Sequence, residues 1–344
     1  MSNQDNKKLA MALWRAIDSE SLELLESACK KFFSQSCIWN GPAPIYMQRG
    51  ASEIFENFWK PLKRAIPNLK HEFHMVFGGS SSGDLNGKID GRNWVCGTGY
   101  LTGCAVESFL GIPPSPKMLL LRWGEFLRFE NGMIVEGQFI LDFIDWFDQI
   151  NLSVLPSPRG KPFLYPHPTT CSGVLLSPQD NSETNKTLTL GRDFLFGALN
   201  NYNGKDLQSM GVQDFFHKKV KWYGPGGIGA CLSLREFEDY HQGPWLVAFP
   251  DRKVQNLDSL FAEGNLLAAS GVVAVRATQM GPYLGMPASG KSIEFSGLDF
   301  WLRSGNKFLE NWVLVDMIDL FLQMGHDLFA KMRKRAHKLE VSAL

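Results

Sequence analysis

The stretch Gly111–Lys117, which reads GIPPSPK, returns later in the chain as GMPASGK at Gly285–Lys291. The match continues without a gap over 39 positions, at an offset of 174, and eleven of these positions are identical. Average composition would give about two or three identities over that length. An earlier block, which pairs Trp39 with Trp222, repeats at an offset of 183. A period this long indicates two copies of a whole domain.

The bulk composition limits the classes of function. The 344 residues suffice for two domains of about 150 residues each. The 35 basic residues balance the 35 acidic ones, so no net charge favours binding to nucleic acid or to an anionic membrane. The 25 Phe and 10 Trp residues exceed what an ordinary core needs, which leaves room for an aromatic-lined, apolar pocket.

The lack of a signal-peptide pattern and the spacing of the cysteines predict a cytoplasmic protein. The N-terminal residues are polar and show no signal-peptide pattern, and no apolar run reaches the ~18 residues of a membrane span. The cysteines form no CxxC pair and are predicted to be reduced thiols. They are Cys29, Cys37, Cys96, Cys104, Cys171 and Cys231.

Each copy has the pattern of helices followed by strands. Helical periodicity covers 9–33 and 51–65 in the first copy, and strand patterns follow after Pro67. The second copy follows the same course, with helices predicted from 191 and over 233–247. This order predicts an α+β fold with two tandem cone-shaped domains, each with N-terminal helices packed on a curved antiparallel sheet.

The predicted domains are 1–150 for copy one and 191–330 for copy two. A Pro/Ser-rich linker is predicted over 151–190. The hairpin loop 80–93 is longer than its counterpart in copy two, and we expect it to cover the mouth of copy one. The two copies are expected to form an internal pseudo-dimer, with the chain monomeric or associating through a second surface.

Several motifs of copy two resemble the SnoaL-like polyketide cyclase family of the nuclear transport factor 2-like superfamily. The runs are Ala248–Asp251, Glu263–Asn265, Val275–Thr278, Gly281–Pro287 and Glu310–Trp312. A weaker version covers about 9–150, through Gly111–Pro114 and Asn131–Glu136. The resemblance implies cone-shaped α+β domains. The superfamily includes cyclases, isomerases and hydrolases, and also proteins that only bind ligands.

The resemblance also implies an active-site carboxylate on the last two strands. Asp299 stands where the family often has a polar residue on the next-to-last strand, and Trp312 matches the tryptophan of the last strand. The residue directly after Trp312 is Val313 rather than an acid, and the next acid is Asp316. Copy one has Glu125, Gln138, Phe139 and Asp142 at the corresponding positions.

Alternation along the last strand places Glu310, Trp312, Leu314 and Asp316 on one face. A carboxylate in apolar surroundings has a raised pKa and can act as a general acid or base near neutral pH. Asp299 and Asp316 are therefore the candidate catalytic residues. Alternatively, Asp316 and its counterpart Asp142 cap the helix that follows them.

Five further side chains, beside Trp312, are candidates for substrate binding. Trp222 and Tyr223 precede a Gly-Pro turn, His241 and Trp245 lie on one predicted helix, and Arg276 is a charge within a strand. No metal site is predicted, because His71 and His74 fall on opposite faces of a strand, and no cofactor motif is found.

Three functions remain open. The first is a cofactor-independent cyclase or isomerase that acts on a small hydrophobic carbonyl compound by carboxylate acid/base chemistry. The second is a non-catalytic protein that binds a small apolar ligand. In the third, one copy is structural and supports the other. Copy two is expected to hold the site, because Glu125 of copy one has no evident partner.

Overall fold

The computed structural model describes residues 1–170 and 172–342. Copy one has helices on one side of a sheet. Its helices are α1 (Asn3–Ile17), α2 (Leu22–Phe32), α3 (Gly50–Ile54), α4 (Lys60–Ala65) and α5 (Phe143–Gln149). Its strands are β1 (Phe33–Asn40), β2 (Met47–Arg49), β3 (Lys70–Ser80), β4 (Asn93–Ala105), β5 (Ser115–Glu130) and β6 (Met133–Leu141). A π-helical segment, Phe55–Trp59, joins α3 to α4.

Copy two repeats this order. Its helices are α6 (Asn181–Arg192), α7 (Val212–Phe215), α8 (Leu234–Glu236), α9 (Gly243–Ala248), α10 (Met317–Met324) and α11 (Leu328–Ser342). Its strands are β7 (Phe216–Tyr223), β8 (Ala230–Cys231), β9 (Lys253–Val254), β10 (Ser259–Glu263), β11 (Leu266–Thr278), β12 (Ser292–Ser304) and β13 (Lys307–Val315). The π-helical segments are Asp193–Ala198 and Phe237–Gln242.

Capping explains where the helices depart from the predicted ranges. The Ser21 side chain accepts a hydrogen bond from the Leu24 amide and so starts α2, which divides the helix predicted over 9–33 into two. Asp180 caps α6 through the Glu183 amide, so the first helix of copy two begins ten residues before the predicted boundary. The predicted α+β class is confirmed.

Each copy contributes one mixed sheet. The strand orders among the described residues are β2-β1-β6-β5-β4-β3 and β10-β11-β12-β13-β7-β8, with β9 paired to β11. The sheets were predicted to be antiparallel, but the first long strand of each copy pairs in parallel with the last. These two strands can run in parallel because helices and further strands, rather than a tight turn, connect them.

The registers confirm the alignment of the copies on which the site comparison depends. Gly137 is paired with Trp39 in copy one, and Asn311 with Trp222 in copy two.

The two sheets pack against each other through an apolar interface cluster. Its centre is a contact between the equivalent residues Phe126 and Phe300, whose ring centroids are 5.4 Å apart. The cluster contains Met75, Phe77, Trp94, Cys96, Phe126, Ile140, Tyr165, Tyr223, Ala230, Phe261, Leu266, Ala268, Leu298, Phe300, Leu302, Trp312 and Leu314. The opposite face of each sheet is therefore the one that packs under that copy's helices.

Two equivalent aspartates bond across this contact. The Asp142 carboxylate accepts a hydrogen bond from the Gly226 amide of copy two at 2.8 Å. The Asp316 carboxylate accepts one from the Ala43 amide of copy one at 2.7 Å. The other oxygen of each group caps the helix that follows, at 3.0 Å in both copies. The buried ion pair between Lys7 and Glu263, at 2.6 Å, adds a further link.

The connecting segments also lie across the contact between copies. The loop between β3 and β4 was expected to cover copy one, but it packs on copy two. The Ser82 amide donates to the Leu260 carbonyl at 2.7 Å, and the Leu257 amide donates to the Gly83 carbonyl at 2.9 Å. In the linker, the Leu175 amide donates to the Val76 carbonyl at 2.8 Å. The Lys161 amide of the linker donates to the Ala230 carbonyl of copy two, also at 2.8 Å, so the linker is bonded to both copies.

No described helix is long and apolar enough to cross a membrane. Five cysteines, Cys29, Cys37, Cys96, Cys104 and Cys231, are free thiols, and Cys171 lies outside the described residues. The cytoplasmic location stays a prediction.

Candidate functional site

A cavity of about 160 Å³ lies inside copy two, between its sheet and its helices. Its walls are mainly apolar and aromatic. The polar side chains among the lining residues include His241, Gln242, Arg252, Asp299 and Asn311. A cavity of ~150 Å³ with an apolar lining is large enough to hold benzene. The space therefore suits a small compound with one ring.

Two substitutions between the copies account for the cavity. Gly297 lines it, and at the equivalent place copy one has Trp123, whose side chain is fully buried. A Cβ atom on Gly297 would meet only the Leu314 carbonyl oxygen, at 3.5 Å, so the space above this residue is open. Val313 likewise replaces Phe139, which stacks on Trp123 with ring centroids 6.2 Å apart. Copy one is thus filled by aromatic rings where copy two is hollow.

Asp299 is the acid of this cavity. It lies in the middle of β12, and its side chain points to the face away from the interface cluster. Burial raises the pKa of its carboxyl to about 7, against a smaller opposing effect of a side-chain hydrogen bond with Asn311. Near neutral pH the carboxyl can therefore both take up and give back a proton.

The equivalent acid of copy one, Glu125, is closed off. Its two oxygens accept hydrogen bonds from the indole nitrogens of Trp14, at 2.6 Å, and Trp39, at 2.9 Å. Burial raises its pKa to about 7, but the side chain is fully buried. Gly137 makes room for this arrangement, because a Cβ atom there would stand 2.5 Å from the Trp39 ring. Copy two has Asn311 at that position, and its Trp222, the equivalent of Trp39, stacks on another aromatic ring.

That ring belongs to His241, which lies in the π-helical segment Phe237–Gln242. The His241 ring stacks between Trp222, at 4.1 Å, and Trp245, at 5.7 Å, with interplanar angles of 16°. Burial lowers the pKa of His241 to about 3, so the ring is neutral. Its Nδ1 atom is buried and has no hydrogen-bond partner. Trp222, His241 and Trp245, all predicted to bind substrate, line the cavity together.

An outer cleft of about 300 Å³ adjoins the cavity. Both spaces are lined by Ile228, His241 and Tyr283. The outer wall is formed partly by linker residues, which include Pro156 and Arg159. These three shared side chains thus separate the cavity from the outer cleft.

Arg252 was missed by the sequence reasoning. It follows α9 and lines the cavity, with an exposed fraction of 1%. Its guanidinium lies 5.3 Å from the Trp245 ring centroid, and Nη2 donates to the Leu199 carbonyl. Its Nε and Nη1 atoms are buried and have no partner among the residues that the structure describes, and the same holds for Oε1 of Gln242. Arg252 lies between Asp251 and Lys253 on a loop after Pro250, a polar pattern that gave no signal that this arginine would be buried.

The structure places four of the predicted site residues elsewhere. Tyr223 and Trp312 belong to the interface cluster, where the Tyr223 hydroxyl donates to Glu310 and the Trp312 indole donates to the Pro166 carbonyl. Arg276 is on the surface and pairs with Glu294 at 2.9 Å. Asp316 caps α10 and binds Ala43, so both of its oxygens are already engaged. These four side chains therefore do not line the cavity, contrary to the predicted position.

The model of the family described as SnoaL-like polyketide cyclase matches residues 10–150 and 198–324. The chain belongs to this family. The two matched regions correspond to the two copies, so the predicted tandem arrangement of SnoaL-like domains is confirmed. No protein of the curated set matches the chain.

Solved structures that resemble this SnoaL-like chain cover about one copy each. A candidate SnoaL-like polyketide cyclase from Jannaschia sp. CCS1 is 16% identical over 42% of this chain and 90% of its own, with a TM-score of 0.32. AclR of Streptomyces galilaeus, a candidate hydroxylase, is 20% identical over 41% of this chain and 86% of its own, with a TM-score of 0.34. IdmH of Streptomyces antibioticus, a candidate polyketide cyclase, is 19% identical over 39% of this chain and 97% of its own, with a TM-score of 0.32. The family assignment rests on the two matched regions.

Proposed function

We propose that this protein is a cofactor-independent enzyme of the cyclase or isomerase type, with one active site, in copy two. Its substrate is a small hydrophobic carbonyl compound, and Asp299 is the general acid/base. The family membership supports this class of reaction. The observation that carries the proposal is an acid with a pKa of about 7 that lines an apolar cavity.

The proposed step begins with the ionised Asp299 carboxylate. It removes a proton from a carbon next to the substrate carbonyl, and the C–H electron pair moves to form an enolate. In an isomerisation, the protonated Asp299 returns the proton to another carbon of the enolate. In a cyclisation, the enolate carbon attacks a second carbonyl carbon, and the proton of Asp299 goes to the new alkoxide oxygen. In both cases the carboxylate is regenerated.

The other cavity residues position the substrate. The stacked rings of Trp222, His241 and Trp245 form one flat wall for a planar ring. Asn311 lowers the pKa of Asp299 by a smaller amount than burial raises it, and its own Nδ2 atom donates to the Phe300 carbonyl at 3.0 Å, which holds the amide in place. The neutral His241 contributes a polar atom but no charge.

Exchange of substrate protons with solvent tests this function directly. The protein would be incubated in D₂O with small ketones such as cyclohexanone and phenylpyruvate, and deuterium uptake at the α-carbon would be followed by NMR. We expect uptake with the wild type and with Glu125→Gln, and loss of uptake with Asp299→Asn. Because the amide is nearly isosteric, Asp299→Asn should remain folded. Equal loss in the two variants would contradict the assignment to copy two.

The alternative is a non-catalytic protein that binds a small apolar ligand. Native mass spectrometry of the purified protein would show what the cavity retains. A ligand bound equally by the wild type and Asp299→Asn, with no proton exchange for any member of the ketone panel, would favour binding over catalysis.

We further propose that the copies act as an internal pseudo-dimer and that the chain is a monomer. The interface cluster and the reciprocal bonds of Asp142 and Asp316 support this arrangement. Light scattering would test it, and a tight dimer in which two chains exchange a copy would contradict it.

A further inference from the structure

The cavity of copy two contains a buried cation that has no acidic partner within the described part of the chain. The Arg252 side chain is 1% exposed, and no ion pair of Arg252 is found among residues 1–170 and 172–342. Its hydrogen bond to the Leu199 carbonyl and its contact with the Met210 sulfur, at 2.7 Å, both involve Nη2. The Nε and Nη1 atoms remain without a partner.

An unpaired buried charge is costly, and unsatisfied buried donors are rare in folded proteins. Burial lowers the pKa of Arg252 to about 10, so the side chain keeps its charge at neutral pH. The stacking of Arg252 on Trp245 offsets part of the cost, but it satisfies no N–H donor. An anion in the cavity would supply both the charge and the acceptors.

Gln242 marks the same end of the cavity. Its Nε2 atom lies 3.9 Å from the Met210 sulfur that Arg252 also contacts, so the two side chains are neighbours. The Oε1 atom of Gln242 is buried and unpartnered. Both residues come from the helical wall and the loop after it, whereas Asp299 comes from the sheet. The cavity thus has a cationic subsite on one wall and an acid on another.

We propose that the ligand of this cavity is a small apolar carboxylate, whose carboxylate group binds Arg252. This inference rests on the proposed function only in placing the substrate in the same cavity. The unpartnered Nε–H and Nη1–H groups can each donate a charge-assisted hydrogen bond to a carboxylate oxygen. The volume of about 160 Å³ sets the size of the apolar part at roughly one ring. The substrate class then becomes a monocyclic carbonyl compound that carries a carboxylate.

Calorimetry with benzoate and benzamide, which have the same shape but differ in charge, tests the subsite. We expect the wild type to bind benzoate at least ~10-fold more tightly than benzamide, the discrimination that ~1.4 kcal/mol provides. Arg252→Met should remove the preference, and Arg252→Lys should keep part of it. Arg276→Met is the matched control, because Arg276 is on the surface, and this variant should keep the full preference.

Equal affinity of the wild type for the two probes would overturn the proposal, as would a preference that survives in Arg252→Met. So would failure of the wild type to bind benzoate at millimolar concentration. The wild-type comparison needs no variant, so it decides the question even if Arg252→Met fails to fold. A preference for benzoate without any proton exchange would leave the carboxylate subsite standing and reject the enzyme. Proton exchange on neutral ketones, without a preference for benzoate, would support the enzyme and reject the carboxylate subsite.

Discussion

The carboxylate of Asp316, in the second copy, binds the main-chain amide of Ala43, in the first, at 2.7 Å. Asp142 makes the equivalent bond to Gly226, so the contact is the same in both directions. Each bond joins the end of one copy's last strand to the turn after the other copy's first strand. The two aspartates therefore hold the sheets in a fixed relation, with both oxygens of each carboxylate engaged in hydrogen bonds.

We expect Asp316→Ala to lower the free energy of unfolding by about 2–4 kcal/mol, because it removes a helix cap and leaves a buried amide unsatisfied. Urea unfolding followed by tryptophan fluorescence would measure this loss. Asp142→Ala should cost more, because it also removes a carboxylate that lies 3.6 Å from the buried Arg122 guanidinium. Ligand affinity of the folded fraction should be unchanged, and a stable but inactive Asp316→Ala protein would restore this residue as a catalytic candidate.

Gly297→Trp should close the cavity. The new side chain would occupy the open space, as Trp123 does in copy one, and we expect ligand binding to be lost while the protein stays folded. The matched change Trp123→Gly should leave binding intact but cost about 3–5 kcal/mol or more, because it empties a packed core. Calorimetry and thermal unfolding of both variants would provide the comparison. Retained binding by folded Gly297→Trp would show that the ligand sits elsewhere.

The stability of the protein should depend on the ionisation of Asp299. Its pKa rises from an ordinary value of 3.8 when unfolded to about 7 when folded, so between these values the folded state keeps a proton that the unfolded state has lost. The stabilisation of the folded state by the raised pKa of Asp299 is fully present below about pH 4 and is lost as the pH rises to 7. At ~1.4 kcal/mol for each pKa unit, the loss is at most ~4 kcal/mol.

Asp299→Asn should therefore gain stability relative to the wild type as the pH rises from 5 to 8. The difference between the two proteins isolates Asp299, since Glu125, whose pKa is also raised to about 7, contributes the same slope to both. Urea unfolding at several pH values would measure the difference. A constant difference between pH 5 and 8 would mean that Asp299 is ionised throughout this range.

The rate of proton exchange should rise as the pH passes through about 7, because only the ionised Asp299 can accept a proton. His241 should add no second step above about pH 4, since burial lowers its pKa to about 3. A pH profile of deuterium uptake in the wild type would show one rising limb. A midpoint near pH 4 would exclude the raised pKa on which the mechanism depends.

The repeat at Gly111–Lys117 and Gly285–Lys291 was enough to predict two copies, and the order of helices before strands was enough to predict their α+β class. The same alignment, at an offset of 174, also pairs Trp123 with Gly297 and Phe139 with Val313, so the difference between a filled and a hollow copy was present in the sequence. The alignment alone could not predict the cavity, because both faces of these strands carry apolar residues and the sequence does not show which face packs under the helices.

The face of β13 was harder to predict. Glu310, Trp312 and Leu314 were correctly placed on one face of the strand, but apolar residues occur on both faces. Each face is buried, one in the interface cluster and one under the helices, so alternation could not distinguish them. Trp312 was therefore expected in the pocket, although its side chain lies in the interface cluster. The burial of Arg252 depends on packing between distant segments, which no local pattern reports.

The contrast between Trp123 and Gly297 also has a consequence for stoichiometry. A dimer of identical subunits shares every substitution between its two sites, so a residue that fills one fills the other. A single polypeptide that contains both copies is free of this constraint, because a substitution in one copy leaves the other unchanged. One copy can fill its interior with its own side chains and serve as a scaffold, while the other keeps its cavity. Each molecule then has room for one ligand instead of two.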